Sequence, residues 1–115
     1  MAKDDYFRIV YIILRFLYEN MKKGKVNVTL DELMENCNIP DIPKEYFDEI
    51  LSNLINDGFV DYIGESVQFI HDAKPRTNIA SIKIKPKGIE YLEENSMMKK
   101  VAEVVKNIKD ITPFI

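Results

Sequence analysis

Apolar residues recur over residues 5–21 at the spacing of one helical face: Phe7, Val10, Tyr11, Leu14, Leu17, Tyr18 and Met21. A second set, Ile9, Ile12, Ile13 and Phe16, falls on the opposite side, so the predicted helix is apolar nearly all round and needs cover on both faces. Lys22, Lys23 and Gly24 stop it, the lysines complementing the helix dipole and the glycine supplying a left-handed cap. Thr29 and Glu32 then have the spacing of a capping box for a second helix, Leu30 to about Asn36, which buries Leu30, Leu33 and Met34. Pro40 and Pro43 prevent continuation and make a turn. Pro43 suits the first position of a third helix running to Asp57, with Tyr46, Phe47, Ile50, Leu51, Leu54 and Ile55 inward.

Beyond Gly58 the period shortens to that of strands. Strands are expected over 59–63 and 67–70, with a break at Gly64, Glu65 and Ser66 between them. A polar loop over 71–78 leads to a further strand, 79–84, in which Ala80, Ile82 and Ile84 alternate with Ser81, Lys83 and Lys85. That is the pattern of a half-buried edge strand with lysines outward. Pro86 starts a fourth helix that buries Ile89 and Tyr91 or Leu92, up to Asn95. A last helix, Ser96 to about Ile111, carries Met97, Val101, Val104, Ile108 and Ile111 at alternating steps of four and three, the spacing of a coiled-coil seam. That seam needs an apolar surface, and Ile9, Ile12, Ile13 and Phe16 offer one. The two terminal helices are therefore expected to pack together, within one chain or across a homodimer.

The element order is that of an α+β, mostly helical fold: a winged helix-turn-helix domain with flanking N- and C-terminal helices. The 115 residues suit one such domain over 1–115, its core at about 5–95 and its C-terminal helix at about 96–111.

The run Ile84-Lys85-Pro86-Lys87-Gly88-Ile89-Glu90-Tyr91-Leu92 resembles the exit from the wing in many bacterial winged-helix regulators. Three stretches carry a narrower likeness. They are Asp4-Asp5-Tyr6-Phe7-Arg8-Ile9-Val10-Tyr11, the run from Pro86 through Tyr91, Asn95 and Met97 to Lys100, and Lys106-Asn107-Ile108-Lys109-Asp110-Ile111. They resemble the YjcQ family of small bacterial and prophage proteins, and the resemblance is carried mainly outside residues 26–78. It implies a winged-helix domain and no substrate, cofactor or catalytic residue.

Composition narrows the chemistry. With 46% hydrophobic and 30% charged residues, the chain is an ordinary globular sequence. One His, His71, and one Cys, Cys37, exclude zinc sites built from several such ligands, and four scattered glycines form no phosphate loop. The pair His71-Asp72 matches a metal-binding dipeptide of some phosphohydrolases, but the further His ligands are missing. No metal, no cofactor and no catalysis are expected. A lone Cys favours a cytoplasmic location, and the longest apolar run, 9–14, is far shorter than the roughly 20 residues that span a bilayer, so no membrane partner is expected.

Charge is segregated along the chain beneath a net charge of -3. Residues 29–57 hold eight acids against Lys44 alone. The outward positions of the third helix, Glu45, Asp48 and Glu49 among them, would repel phosphates, which argues against ordinary major-groove docking by that helix. Residues 73–89 instead carry Lys74, Arg76, Lys83, Lys85 and Lys87 and no acid. Two binding readings follow. The basic wing, through these five residues, contacts double-stranded DNA; or the acidic face of Asp31, Glu32, Glu35, Glu45, Asp48 and Glu49 docks on a basic protein partner. Each has a plainer counterpart: lysines guarding a strand edge, and carboxylates solvating helices. The Tyr and Phe residues of the first and third helices sit at core spacing and read as packing.

Overall fold

The computed structural model describes residues 3–37, 43–68 and 75–106, with side chains over 6–37, 43–64 and 81–104. The elements are α1 (Lys3–Lys22), β1 (Val28–Thr29), α2 (Leu30–Asn36), α3 (Lys44–Asn56), β2 (Val60–Gln68), β3 (Pro75–Ile84), α4 (Pro86–Glu94) and α5 (Ser96–Lys106).

Helix α1 is the axle of the fold. Ile9, Val10, Tyr11, Ile12, Ile13, Leu14, Phe16 and Leu17 are all buried, as an all-round apolar helix requires. It packs on α2, α3, β3, α4 and α5. It ends in a turn at Gly24, whose φ of 95° lies in the left-handed region that side chains avoid.

The capping box of α2 forms as its spacing predicts. The Glu32 N–H donates to Thr29 Oγ1 at 3.1 Å, and the Thr29 N–H donates to Glu32 Oε1 at 3.1 Å. Lys25 pairs with the other oxygen of the same carboxylate. Leu33 is fully buried, while Leu30 and Met34 pack at the core margin. Helix α3 starts one residue later than expected, because Pro43 is its N-cap with ψ at 146°, an extended value, and not its first helical residue. It buries Phe47, Ile50, Leu51 and Leu54. The turn residues 38–42 between α2 and α3 lie outside the described residues.

The sheet has three antiparallel strands in the order β1-β3-β2. Five helices and this small sheet give the described residues a mostly helical α+β, winged-helix-like architecture. Three expectations change. First, β2 is continuous across Gly64, Glu65 and Ser66, where a break was expected. A register shift follows the pair Ile63 and Ser81, with Gly64 opposite Ile79, so Ala80 is left over as a bulge. Second, β3 begins at Pro75, because pairing with Val67 and Gln68 draws the polar residues 75–78 out of the expected loop. Third, β3 is the middle strand, not an edge: Ser81 and Ile82 pair with β1 on one side and β2 on the other. Ile82 and Ile84 point inward and are buried, as their alternation predicts.

At the end of β3 the chain turns into α4, with Pro86 at the first helical position. Gly88 fixes this corner. A Cβ built there would lie 2.2 Å from the Phe59 carbonyl oxygen and 2.9 Å from Ile84 Cγ1, so only glycine lets α4 come this close. The same carbonyl accepts the Lys85 N–H at 2.9 Å. Asn95 then caps α5, its Oδ1 accepting the Met97 and Met98 N–H groups at 2.9 and 3.2 Å.

Helix α5 packs on α1 of the same chain as expected, but only partly through the surfaces expected, Met97 and Val101 facing the core. It buries Met98 and Val101, whereas Val104, expected within the seam, is 45% exposed. Ile108 and Ile111 lie outside the described residues. On α1 the cleft beside α4 and α5 is lined by Tyr11, Arg15 and Tyr18, opposite the Ile9, Ile12, Ile13 and Phe16 face. The latter face is covered from elsewhere, with the Cys37 thiol 3.9 Å from the Ile12 carbonyl oxygen. Among the described residues no helix is long and apolar enough to cross a membrane.

Candidate nucleic-acid interface

The basic positions fall along one strand and the helix that follows it. Lys74 lies outside the described residues. Arg76 is placed by its backbone, opposite Val67 near the start of β3. Lys83 is half-buried, in register with the exposed Asp61 of β2, so part of its charge faces a carboxylate. Lys85 is the exposed N-cap of α4, and Lys87, also exposed, stands in its first turn. Seven residues of strand separate Arg76 from Lys83, roughly 23 Å. The four described positions, Arg76, Lys83, Lys85 and Lys87, thus follow β3 into α4 in a line and not as a single patch.

The N-terminus of α4 adds to the positive end of this line. It has no acid in its first turn and no side-chain cap, so the dipole and its free N–H groups reinforce the two lysines. The Lys87 ammonium also lies 5.6 Å from the centre of the Phe59 ring, whose other partner is Tyr91, stacked at 4.5 Å and 23°. Burial raises the Tyr91 pKa, and the nearby Tyr6 and Asp57 add to the rise, which keeps the phenol neutral. This aromatic support beneath Lys87 was invisible in the sequence, since Phe59 and Tyr91 lie on opposite sides of the basic segment. Only the hairpin's return brings them together.

The acidic positions divide into two kinds. Glu32 is held by the capping box and Lys25, and Asp48 pairs with Lys44 at 3.1 Å. Asp31, Glu35, Glu45 and Glu49 are exposed. Among the described residues no three His, Cys, Asp or Glu side chains converge as metal ligands. Cys37 is 3% exposed, and burial pushes its thiol pKa far above the ordinary value, away from a reactive thiolate. His71 lies outside the described residues.

The model of the family described as YjcQ protein matches residues 11–111, nearly the whole chain. The chain belongs to the YjcQ family. No curated protein and no solved structure matches it. In this YjcQ chain Phe59 holds the strand-to-helix corner together: its carbonyl accepts the Lys85 N–H, Gly88 is seated against that carbonyl, and Lys87 lies over its ring.

Proposed function

We propose that this YjcQ protein is a non-enzymatic, cytoplasmic binding module that contacts double-stranded DNA through its basic wing, by Lys74, Arg76, Lys83, Lys85 and Lys87. The observation that carries the reading is the corner where β3 enters α4. Two exposed lysines stand there beside an uncapped, acid-free helix N-terminus, a combination suited to a phosphate. β1 covers β3 only at Ser81 and Ile82, so edge protection still accounts for Arg76 and Lys83, whereas Lys85 and Lys87 lie beyond the strand and outside that account. A line of cations spaced over roughly 23 Å suits a track of backbone phosphates better than a compact anion. The absence of catalysis remains part of the proposal, supported by the buried, high-pKa Cys37. The same unpaired thiol supports the reducing compartment.

A second reading rests on the four exposed acids Asp31, Glu35, Glu45 and Glu49, which would suit a basic protein partner. Fluorescence anisotropy with labelled duplex DNA separates the two. With about three phosphates contacted, affinity should fall about 40-fold between about 50 and about 200 mM salt. Arg76→Glu with Lys83→Glu should abolish binding, and Asp48→Lys with Glu49→Lys should leave it intact or strengthen it. No binding at low salt removes the DNA reading and leaves the acidic face; binding lost through the Asp48 and Glu49 changes instead puts α3 on the DNA.

A further inference from the structure

A cleft of about 330 Å³ lies between α1 and the α4–α5 corner, lined by Tyr11, Arg15, Tyr18, Leu92, Lys99 and Ala102, with Glu19 and Glu93 also lining it. Its size falls within the range of small-molecule sites. The polar groups are arranged with capacity left over. Tyr11 is only 3% exposed, and its hydroxyl accepts from Arg15 Nη1 at 2.6 Å. The phenol's own proton has no acceptor among the described residues, and a buried donor left without one costs about 1–3 kcal/mol. Arg15 commits Nε to Glu19 at 3.2 Å and Nη1 to Tyr11, while its Nη2 makes no hydrogen bond among the described residues. Glu19 is shared with Lys22, so these three side chains together are positive. Burial pushes the Glu19 pKa up, but Lys22 and Arg15 outweigh this and hold it below the usual range, so Glu19 stays ionised and Arg15 stays oriented.

We propose that this cleft binds a small monoanionic carboxylate with a flat apolar body, its head group on the Tyr11 hydroxyl and the Arg15 guanidinium and its body against Tyr18, Leu92 and Ala102. A carboxylate accepts from the Tyr11 O–H and from Arg15 Nη2 at once, and Lys99 adds a further positive charge. Glu19 and Glu93 line the same cleft and oppose a second negative charge, which disfavours a phosphate ester. Tyr18 supplies a ring for the body, and Lys22, 4.6 Å from the centre of that ring, adds positive potential beside it. The proposal goes beyond the DNA reading and does not depend on it.

The test is an NMR titration of the full chain with 2-naphthoate, following the backbone amides of Tyr18, Leu92 and Ala102, alongside 2-naphthamide and 2-naphthyl phosphate. Naphthoate should produce saturable shifts at those amides, with affinity at least about 10-fold above the neutral amide, as a charge-assisted pair requires. The phosphate should bind more weakly than the carboxylate. Tyr11→Phe keeps the ring and should weaken naphthoate about 5- to 10-fold and naphthamide by a smaller factor, since the amide loses only a neutral hydrogen bond. Lys99→Met is an exposed change that leaves the fold alone and should weaken naphthoate about 2- to 3-fold. Equal binding of carboxylate and amide, shifts elsewhere in the chain, an unchanged affinity in both variants, or no shift at about 5 mM naphthoate overturns the proposal.

Discussion

On the α2–α3 side Glu32 closes a capping box and Asp48 pairs with Lys44, while on the β3–α4 side Lys85 and Lys87 stand at a helix end that no acid and no side-chain cap answers. Both regions are highly charged and both lie on helices or strands whose other face is core. The difference is what the fold does with the charge. Carboxylates near the start of α2 work locally, satisfying N–H groups and a helix dipole, so part of the acidic excess is accounted for by folding alone. The lysines at the start of α4 work against that dipole. Cations at a helix N-terminus are placed unfavourably by a few tenths of a kcal/mol each; the Phe59 ring offsets this for Lys87, while no side-chain contact among the described residues does so for Lys85. A charge that costs the fold something is better evidence of a partner than one that helps it, and this is why the basic corner outranks the more numerous acids.

The largest expected effect comes from breaking that corner. Gly88→Ala should destabilise the protein by about 2–3 kcal/mol, because a Cβ 2.2 Å from the Phe59 carbonyl oxygen and 2.9 Å from Ile84 Cγ1 forces α4 away from β2 and β3. Urea unfolding followed by circular dichroism checks it: the midpoint should fall with little change in slope. Since the Phe59 carbonyl also holds the Lys85 N–H, the same variant should lose DNA affinity even where it remains folded. A loss of stability under about 0.5 kcal/mol would show that the corner opens easily and does not position the lysines.

Much of the fold was legible because its signals are local. The all-round apolar pattern of α1, the Thr29–Glu32 box and Pro86 at the start of α4 each depend on residues within a few turns. What escaped depends on pairing across the chain. Residues 75–78 are polar and begin with proline, so nothing local marks them as strand; their pairing with 65–68 does. The central position of β3 follows from two residues of β1, too short a strand to announce its partner. Of the candidate site, the lysines were legible as a charge run, but the Phe59–Tyr91 stack under Lys87 and the seat of Gly88 on Phe59 required the folded hairpin. The cleft was missed for a different reason. Tyr11 and Tyr18 have core spacing and do pack, and spacing cannot show that a packed phenol still holds an unspent proton.

A middle-sized effect sharpens the other half of the comparison. Thr29→Ala removes the hydroxyl that accepts the Glu32 N–H, and should cost about 1 kcal/mol. Glu49→Gln, at an exposed acid on α3, should change stability by less than about 0.5 kcal/mol. Thermal unfolding of both variants at one pH and salt concentration gives the contrast. Equal losses would mean that the acidic face is held together as a network, and that its unpaired members are less available to a partner than their exposure suggests.

The smallest expected effect concerns Val104, an apolar side chain that the fold leaves over much as it leaves over the lysines. A strict seam through Met97, Val101 and Val104 would make Val104→Asp cost several kcal/mol, since it would bury a charge. In the structure α5 turns Met98 and Val101 inward, and Val104 is 45% exposed, so the carboxylate stays in water and the change should fall within about 0.5 kcal/mol. Light scattering coupled to gel filtration supplies the second half of the test, with wild type and variant measured across a range of concentrations. A monomer mass for both, with matching stability, fits α5 serving only α1 and α4 of its own chain. A dimer mass for the wild type that Val104→Asp converts to monomer would instead show that the exposed side of α5 meets a second copy, and that the seam read from the sequence operates between chains.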